Sequence, residues 1–359
     1  MRMYDIAIVG AGPAGATLAR LLASRYQVLL IDRRDLAHQA SPGAITKCCG
    51  GLLAPDAQKV LAELGLGLPE EVLVGPQLFV VRTIDLDQSH ERYYQRFYVN
   101  IDREKFDRWL VSLVPDSVTR YFGTTLCGYQ SEQGAITLTL QQAGSRWQEK
   151  ARFLVGADGA NSLVRRQATT TAMHLRQYVA IQERFRVEQP MPYFTALFAS
   201  RVTDFYGWTI PKRNELLVGV ALKPGRQAES LFQEFKLRLL RYGLSWGERT
   251  RREGAFLLRP QANQPLPVLG GVALVGEAAG WISPSSAEGV SYALRSAMML
   301  ADSLQPGLAG ALGRYQKATG RLRLNLLGKN LKSPAMYNPQ LRTLAMRSGL
   351  LSVKVRSTN

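Results

Sequence analysis

The sequence predicts an α/β fold: a Rossmann-like nucleotide-binding domain, discontinuous in the chain, with an antiparallel-sheet lobe inserted into it and a helical C-terminal tail. Three observations predict it. A strand, a glycine turn, a helix and a second strand open the chain. Two further short apolar strands, one in the middle and one late, end in segments that pair glycine with an acid. Runs that alternate apolar and polar residues fill the stretch between those two strands. On this reading residues 1–75, 100–175 and 260–310 form the nucleotide domain, 76–99 and 176–259 the antiparallel lobe, and 311–359 a basic helical segment.

Residues 4–9 (Tyr-Asp-Ile-Ala-Ile-Val) have the apolar character of a buried strand, and Gly10-Ala11-Gly12-Pro13-Ala14-Gly15 follows at once as G-x-G-x-x-G. Gly10 allows the tight turn, Gly12 removes a Cβ that would block a pyrophosphate, and Gly15 lets helix and strand pack closely. The turn, including Pro13 and Ala14, opens a helix expected over residues 14–24, whose unpaired N–H groups and dipole favour an anion. The second strand, 28–31, ends in Asp32, 22 residues after Gly10 and followed by Arg33. A carboxylate at that distance accepts from ribose hydroxyls.

Residues 34–51 look like a loop, 52–64 like a helix, 77–87 and 93–101 like strands, and Arg103 begins another helix. A β-meander is expected over 119–142, and a strand over 152–157 that ends at Asp158-Gly159. Runs 179–186, 193–199, 206–211 and 216–222 alternate like an antiparallel sheet, and 228–241 is helical. A short strand over 272–275 delivers Gly276-Glu277-Ala278-Ala279-Gly280, and a helix is expected over 288–304.

Asp158 and Glu277 therefore stand at strand ends, beside glycines that permit close approach to a ligand. In this order, the glycine turn, the Asp-Gly segment and the late Gly-acid segment resemble flavoproteins of the para-hydroxybenzoate hydroxylase fold, which bind FAD. Lys47-x-Cys49-Gly50-Gly51, Tyr206-x-Trp208-x-Ile210-Pro211 followed by Gly219, and Arg103-x-x-Phe106-Asp107-x-x-Leu110 are similar to segments of the geranylgeranyl reductase family. The spelling of residues 47–57, Gly276 to Gly280 and Met346-Arg347-Ser348-Gly349 resembles the CbrA branch of that family. Glu277 stands where the family usually has Asp, Ile210 where it has Phe, and Ser286-Ala287-Glu288-Gly289 where a G-E-G turn is common.

The resemblance implies that Gly10, Gly12 and Gly15 hold the FAD pyrophosphate, Asp32 the adenosine ribose, and Asp158 and Glu277 the pyrophosphate and ribitol. Gly50 and Gly51 would lie against the flavin ring, Arg103 would brace the cofactor, and Gly289-Val290 at a helix start would face the flavin anion. Cys49 is a proton donor, a wall of the site or an apolar filler. Tyr206, Trp208 and Ile210 line an apolar slot or pack a strand. Lys47 places an anionic head group or is a solvated loop lysine. The implied activity is reduction of C=C bonds in an isoprenoid or other apolar substrate by hydride from flavin N5, with electrons from NAD(P)H or a reduced carrier protein. The rivals are an FAD-dependent monooxygenase using NAD(P)H and oxygen, a flavin halogenase, and a non-catalytic flavin sensor with a membrane-binding tail.

Composition sets outer bounds. Three cysteines with Cys48 and Cys49 adjacent give no disulfide framework, and three scattered histidines give no metal-ligand spacing. No run of roughly eighteen apolar residues predicts a spanning helix. A cytoplasmic protein is expected. The net charge is +17, and from Ser303 to Asn359 there are ten Lys/Arg and no Asp or Glu. Such a tail suits the inner face of an anionic membrane, a phosphate-bearing substrate or an acidic electron carrier, or is a solvated face. No recognition motif for nucleic acid accompanies the charge.

Overall fold

The computed structural model describes residues 2–37, 47–132, 134–168, 175–189, 191–261 and 263–355. The centre of the 34–51 loop lies outside them, as do His38, His174 and residues 356–359. In chain order the first elements are β1 (Met3–Val9), α1 (Pro13–Leu22), β2 (Val28–Asp32), β3 (Leu52–Leu53), α2 (Pro55–Glu63), β4 (Leu78–Asp85), β5 (His90–Asn100) and α3 (Arg103–Ser112). Then come β6 (Thr119–Phe122), β7 (Thr125–Glu132), β8 (Ala135–Gln142), β9 (Ser145–Gly156), α4 (Leu163–Gln167), β10 (Gln177–Arg186), β11 (Phe194–Phe198), β12 (Gly207–Lys212) and β13 (Glu215–Leu222). The chain finishes with α5 (Ala228–Arg241), β14 (Arg249–Leu258), β15 (Val268–Leu269), β16 (Val272–Leu274), α6 (Val290–Leu304), α7 (Ala311–Ala318), α8 (Gly320–Tyr337) and α9 (Pro339–Ser348).

Two compact units divide the chain: 1–46, 104–176 and 258–328 form the first, and 47–103, 177–257 and 329–359 the second. The first is built on a sheet of order β15-β16-β9-β1-β2-β6, with the β7–β8 hairpin added to β9. Strands β1, β2, β6, β9 and β16 run parallel. Ile6, Ala7 and Ile8 are fully buried, as a central parallel strand covered on both faces requires. Pro13 starts α1 with its φ already helical. The start of β9 pairs with β8, and from Lys150 onward it pairs with β1, so one long strand joins the hairpin to the parallel sheet.

The second unit holds a sheet of order β14-β10-β13-β12-β11-β4-β5-β3. It is antiparallel except for β11 and β4, which run parallel. Helix α5 covers one face through Phe232, Phe235 and Leu239, which cluster with Phe185, Val218 and Val220. Gly207 makes room for this helix, because a Cβ there would meet the Phe235 ring at 2.2 Å.

Several elements differ from the sequence reading. The expected meander over 119–142 is a hairpin preceded by β6, a parallel partner of β2. The helix expected from residue 52 begins at Pro55, because Leu52–Leu53 pair with Asn100 and Val99. That pairing and the Leu73–Ile101 bridge carry residues 47–75 onto the second sheet rather than into the nucleotide unit. Strand β14 was not foreseen. Its arginines are neutralised by strand and helix acids: Arg249 and Arg252 by Glu183, Arg252 also by Glu229, and Arg251 by Glu253. Among the described residues no helix is long and apolar enough to cross a membrane.

Candidate functional site

In the first unit the carboxyl ends of β1, β9 and β16 are neighbours: Val9 pairs with Gly156, and Gly156 with Leu274. The three glycines of the turn after β1 serve different ends. Gly10 has φ +105°, and a Cβ on it would lie 2.4 Å from the Ala157 carbonyl oxygen. A Cβ on Gly15 would lie 1.7 Å from the Gly10 oxygen. Both glycines are demanded by packing. Gly12 is not: its φ is −75°, open to any residue, and among the described residues a Cβ there meets nothing within 4 Å. Packing among the described residues therefore does not demand glycine at position 12, and the space beside it is open to a ligand. It opens at the N-terminus of α1, which has no side-chain cap. The first-turn N–H groups and the positive dipole end suit a phosphate group.

The acids at the strand ends are tightly held. Asp32 Oδ2 accepts from the Ala11 N–H (2.7 Å) and Arg34 Nη2 (3.1 Å), and Oδ1 from the Arg34 N–H (2.8 Å) and Nε (3.1 Å). Arg34 also donates to Asp107 Oδ2 at 2.7 Å. Burial disfavours the Arg34 charge, but Asp107 and Asp32 outweigh burial and raise its pKa. Arg33, a second residue that the resemblance would set against the cofactor, is exposed, while Arg34 is half-buried against Asp32. Asp158 accepts from the Ser162 hydroxyl and from the Leu163 and Val164 N–H groups at 2.7 and 3.2 Å, so it caps α4. Burial pushes its pKa up against the pull of those bonds. Glu277 lies in a 3₁₀ turn after β16, not on the strand, and its Oε1 accepts from the Leu258 N–H at 2.9 Å.

Arg165 ties these segments together. Its guanidinium donates to the Ala160, Glu277 and Ala278 carbonyls at 2.5, 3.4 and 2.6 Å. Gly276 has φ +57° and sits between helices; a Cβ there would lie 3.2 Å from Ala14 Cβ and 3.5 Å from Ala293 Cβ. Its N–H donates to Ser296 Oγ at 2.9 Å. Gly289 precedes Val290 at the start of α6, again with no side-chain cap. Two uncapped helix ends therefore adjoin Gly276, and both are adapted to negative charge.

The second unit carries the other site residues. Cys49 Sγ accepts from the Gly51 N–H at 3.4 Å and from Arg103 Nη1 at 3.6 Å. The Cys49 carbonyl accepts from Gln182 Nε2 at 3.4 Å. A Cβ on Gly50 would lie 2.6 Å from Ile210 Cδ1, so the glycine loop lies directly on β12. Trp208 is buried and rests on Gly219, where a Cβ would lie 2.5 Å from the indole. Its Nε1 has no hydrogen-bond partner among the described residues. The Tyr206 ring lies 5.6 Å from that of Trp208. Lys47 is half-buried at the start of the loop. Cys48 is buried, and burial followed by the Glu253 charge pushes its thiol up to about 12.

Sequence reasoning missed the residue at the centre of this group. Lys212, two residues after Ile210, is buried and donates to the Gly51 carbonyl (3.1 Å), Asn100 Oδ1 (2.5 Å) and the Ile101 carbonyl (2.8 Å). Three ammonium protons meet three oxygens. Burial nonetheless pushes its pKa down to about 7. Gly51 has φ +62°, and a Cβ there would meet Lys212 Nζ at 2.7 Å. Among the described residues, no three of His, Cys, Asp and Glu come together as a metal cluster.

The first unit thus gathers Gly10, Gly12, Pro13, Ala14, Gly15, Asp32, Asp158, Gly276, Glu277, Gly289 and Val290. The second gathers Lys47, Cys49, Gly50, Gly51, Arg103, Tyr206, Trp208 and Ile210. A family model described as "FAD binding domain" matches residues 3–206. Protein CbrA of Escherichia coli O9:H4 (strain HS) is 40% identical over 357 residues, covering 98% of this chain and 95% of that protein. A geranylgeranyl bacteriochlorophyll reductase-like structure from Thermoplasma acidophilum aligns with a TM-score of 0.81 at 20% identity, over 100% of this chain and 94% of that one. PqsL from Pseudomonas aeruginosa, described as a probable FAD-dependent monooxygenase, aligns with a TM-score of 0.69 at 19% identity, over 96% and 100%. Those two likenesses show the shared fold. The space at Gly12 and the uncapped helix ends fit the FAD diphosphate, and the chain belongs to the FAD-binding-domain family of flavoprotein oxidoreductases, together with the CbrA proteins.

Proposed function

We propose that this protein is an FAD-dependent reductase of C=C bonds in an isoprenoid or other apolar substrate, with NAD(P)H or a reduced carrier protein as electron donor. Bound FAD supplies hydride chemistry. The chain's own residues divide the remaining work. The Gly10–Gly15 turn and the open end of α1 bind the diphosphate. Asp32 has its four acceptor positions filled by Ala11 and Arg34, so a ribose hydroxyl takes the place of an Arg34 contact. Gly276 sets the close approach of α1 and α6.

One observation carries the choice of a reductase: Cys49 lies in a glycine loop laid on an apolar strand, with Ile210 against Gly50 and Trp208 two residues earlier. An apolar wall suits an apolar substrate. The Cys49 sulfur, which accepts from the Gly51 N–H and Arg103, would be the group that passes a proton to the second carbon. The likeness to the reductase-like structure over the whole chain supports the same reading.

A monooxygenase is the second reading, favoured by the fold shared with PqsL. A single experiment separates them. FAD-loaded protein is reduced without oxygen by dithionite, NADH or NADPH, then mixed with polyprenyl lipids in deuterated water. Flavin reoxidation without oxygen, with solvent deuterium in a saturated product, supports the reductase. Reoxidation that needs oxygen and yields a hydroxylated product supports the monooxygenase and ends the first reading.

A further inference from the structure

Helix α9 is inside out. Its buried side chains are Arg342 and Met346. Arg342 Nε donates to Asp85 Oδ2 at 2.7 Å, Nη1 donates to the Met336 carbonyl at 3.0 Å, and the guanidinium lies 4.8 Å from the Phe198 ring centroid. The charge faces the protein, and the leucines face out: Leu341 is 46% exposed and Leu344 68%. Beyond the Gly349 cap, Leu350 and Leu351 are 73% and 83% exposed. Leu351 holds φ +63°, a left-handed conformation unfavourable to a residue with a Cβ, with its side chain in solvent.

These leucines are not a frayed end. Ser352 bridges to Tyr94, and the Val353 N–H donates to the Tyr93 carbonyl at 2.8 Å. Asn338 caps the start of α9 through the Gln340 and Leu341 N–H groups. Arg347 and Lys354, within a few residues of the leucines in sequence, are exposed, and Arg347 Nε donates to His90 Nε2 at 3.3 Å. From Ser303 to the end the sequence has ten cations and no carboxylate side chain.

We infer that α9 and the segment through Val355 form a docking surface for an anionic lipid bilayer, with Leu341, Leu344, Leu350 and Leu351 entering the interface and Arg347 and Lys354 meeting the head groups. An apolar ridge flanked by cations is the pattern of interfacial binding. A second copy of the chain fits poorly, because self-apposition sets these cations against each other with no acid in the segment. An acidic protein matched by charge alone leaves the four leucines unexplained. Among the described residues no helix is long and apolar enough to span, so a surface contact is the one inferred.

The test uses the full-length, FAD-loaded protein in co-sedimentation with phosphatidylcholine vesicles, with and without phosphatidylglycerol. The expected result is binding to the anionic vesicles, weakened by salt, and at least about tenfold weaker for Leu344→Glu/Leu351→Glu. Arg347→Gln/Lys354→Gln should weaken binding and flatten its salt dependence. Both pairs are solvent-exposed, so melting temperature and flavin absorbance should stay those of the parent. Equal binding by the leucine variant overturns the inference, as does failure of the parent to bind anionic vesicles. A lipid-free dimer dissolved by the leucine substitutions overturns it in favour of self-association.

Discussion

Replacing Lys212 with Met removes a cation from the interior of the second unit. Asn100 Oδ1 loses its Lys212 donor, whereas the Gly51 carbonyl still accepts from the Ile101 N–H at 2.9 Å. Asn100 keeps its own donations to Pro76 and Pro211. Stranding Asn100 Oδ1 and the Ile101 carbonyl costs about 1–3 kcal/mol each. The pH dependence is the sharper signature. A folded-state pKa of about 7, below the unfolded lysine value, means that the unfolded chain holds the extra proton between the two values. The lysine's burial penalty is therefore borne in full below pH 7 and relieved as pH rises toward the unfolded pKa. Between pH 6 and pH 9 this relief amounts to about 2–3 kcal/mol, and Lys212→Met lacks it. Comparing urea unfolding of both proteins at several pH values removes the titration of the groups that do not face Lys212. The gap between them should widen with pH. Parallel curves would refute a buried lysine that sheds its proton in the fold.

Other substitutions separate packing from function. Gly15→Ala places a Cβ against the Gly10 carbonyl and should abolish cooperative folding, read by circular dichroism on heating. Arg34→Met removes the cation that the buried Asp32 and Asp107 carboxylates share and should cost about 3–5 kcal/mol in denaturant unfolding. Cys49→Ser should keep FAD and stability but lower turnover and shift its pH profile, whereas Cys48→Ser should leave that profile unchanged; the two profiles compared in one assay check the assignment. Thiol labelling of native protein should reach Cys49 before buried Cys48, followed by peptide mass analysis.

The nucleotide unit was legible because several local signals agree there. A fully buried strand, a glycine turn, a proline-led helix and Asp32 all fit one arrangement. The positions of Asp158 and Glu277 at strand ends could also be read, but their partners could not. Asp158 caps α4 and Glu277 holds the Leu258 N–H, contacts that depend on segments distant in sequence or on a short helix. Lys212 was hidden because a lysine ending a strand reads as an exposed edge, and only tertiary packing brings Asn100, Gly51 and Ile101 to it. Strand β14 was hidden by its arginines, whose acids lie on β10, α5 and β14 itself. Residues 47–75 follow the nucleotide βαβ unit in the chain, and the β3–β5 pairing that moves them to the other sheet leaves no local mark. In α9 the leucines look like a core face until Asp85 is seen to claim Arg342 for the interior.

Titration of the purified apoprotein with FAD, for the parent and for Gly12→Val, tests the cradle most directly. Because a Cβ at residue 12 meets no atom of the described residues, the variant should keep the parent's melting curve and lose FAD binding. A Gly12→Val protein that takes up FAD as tightly as the parent would mean that the diphosphate does not lie at the open end of α1.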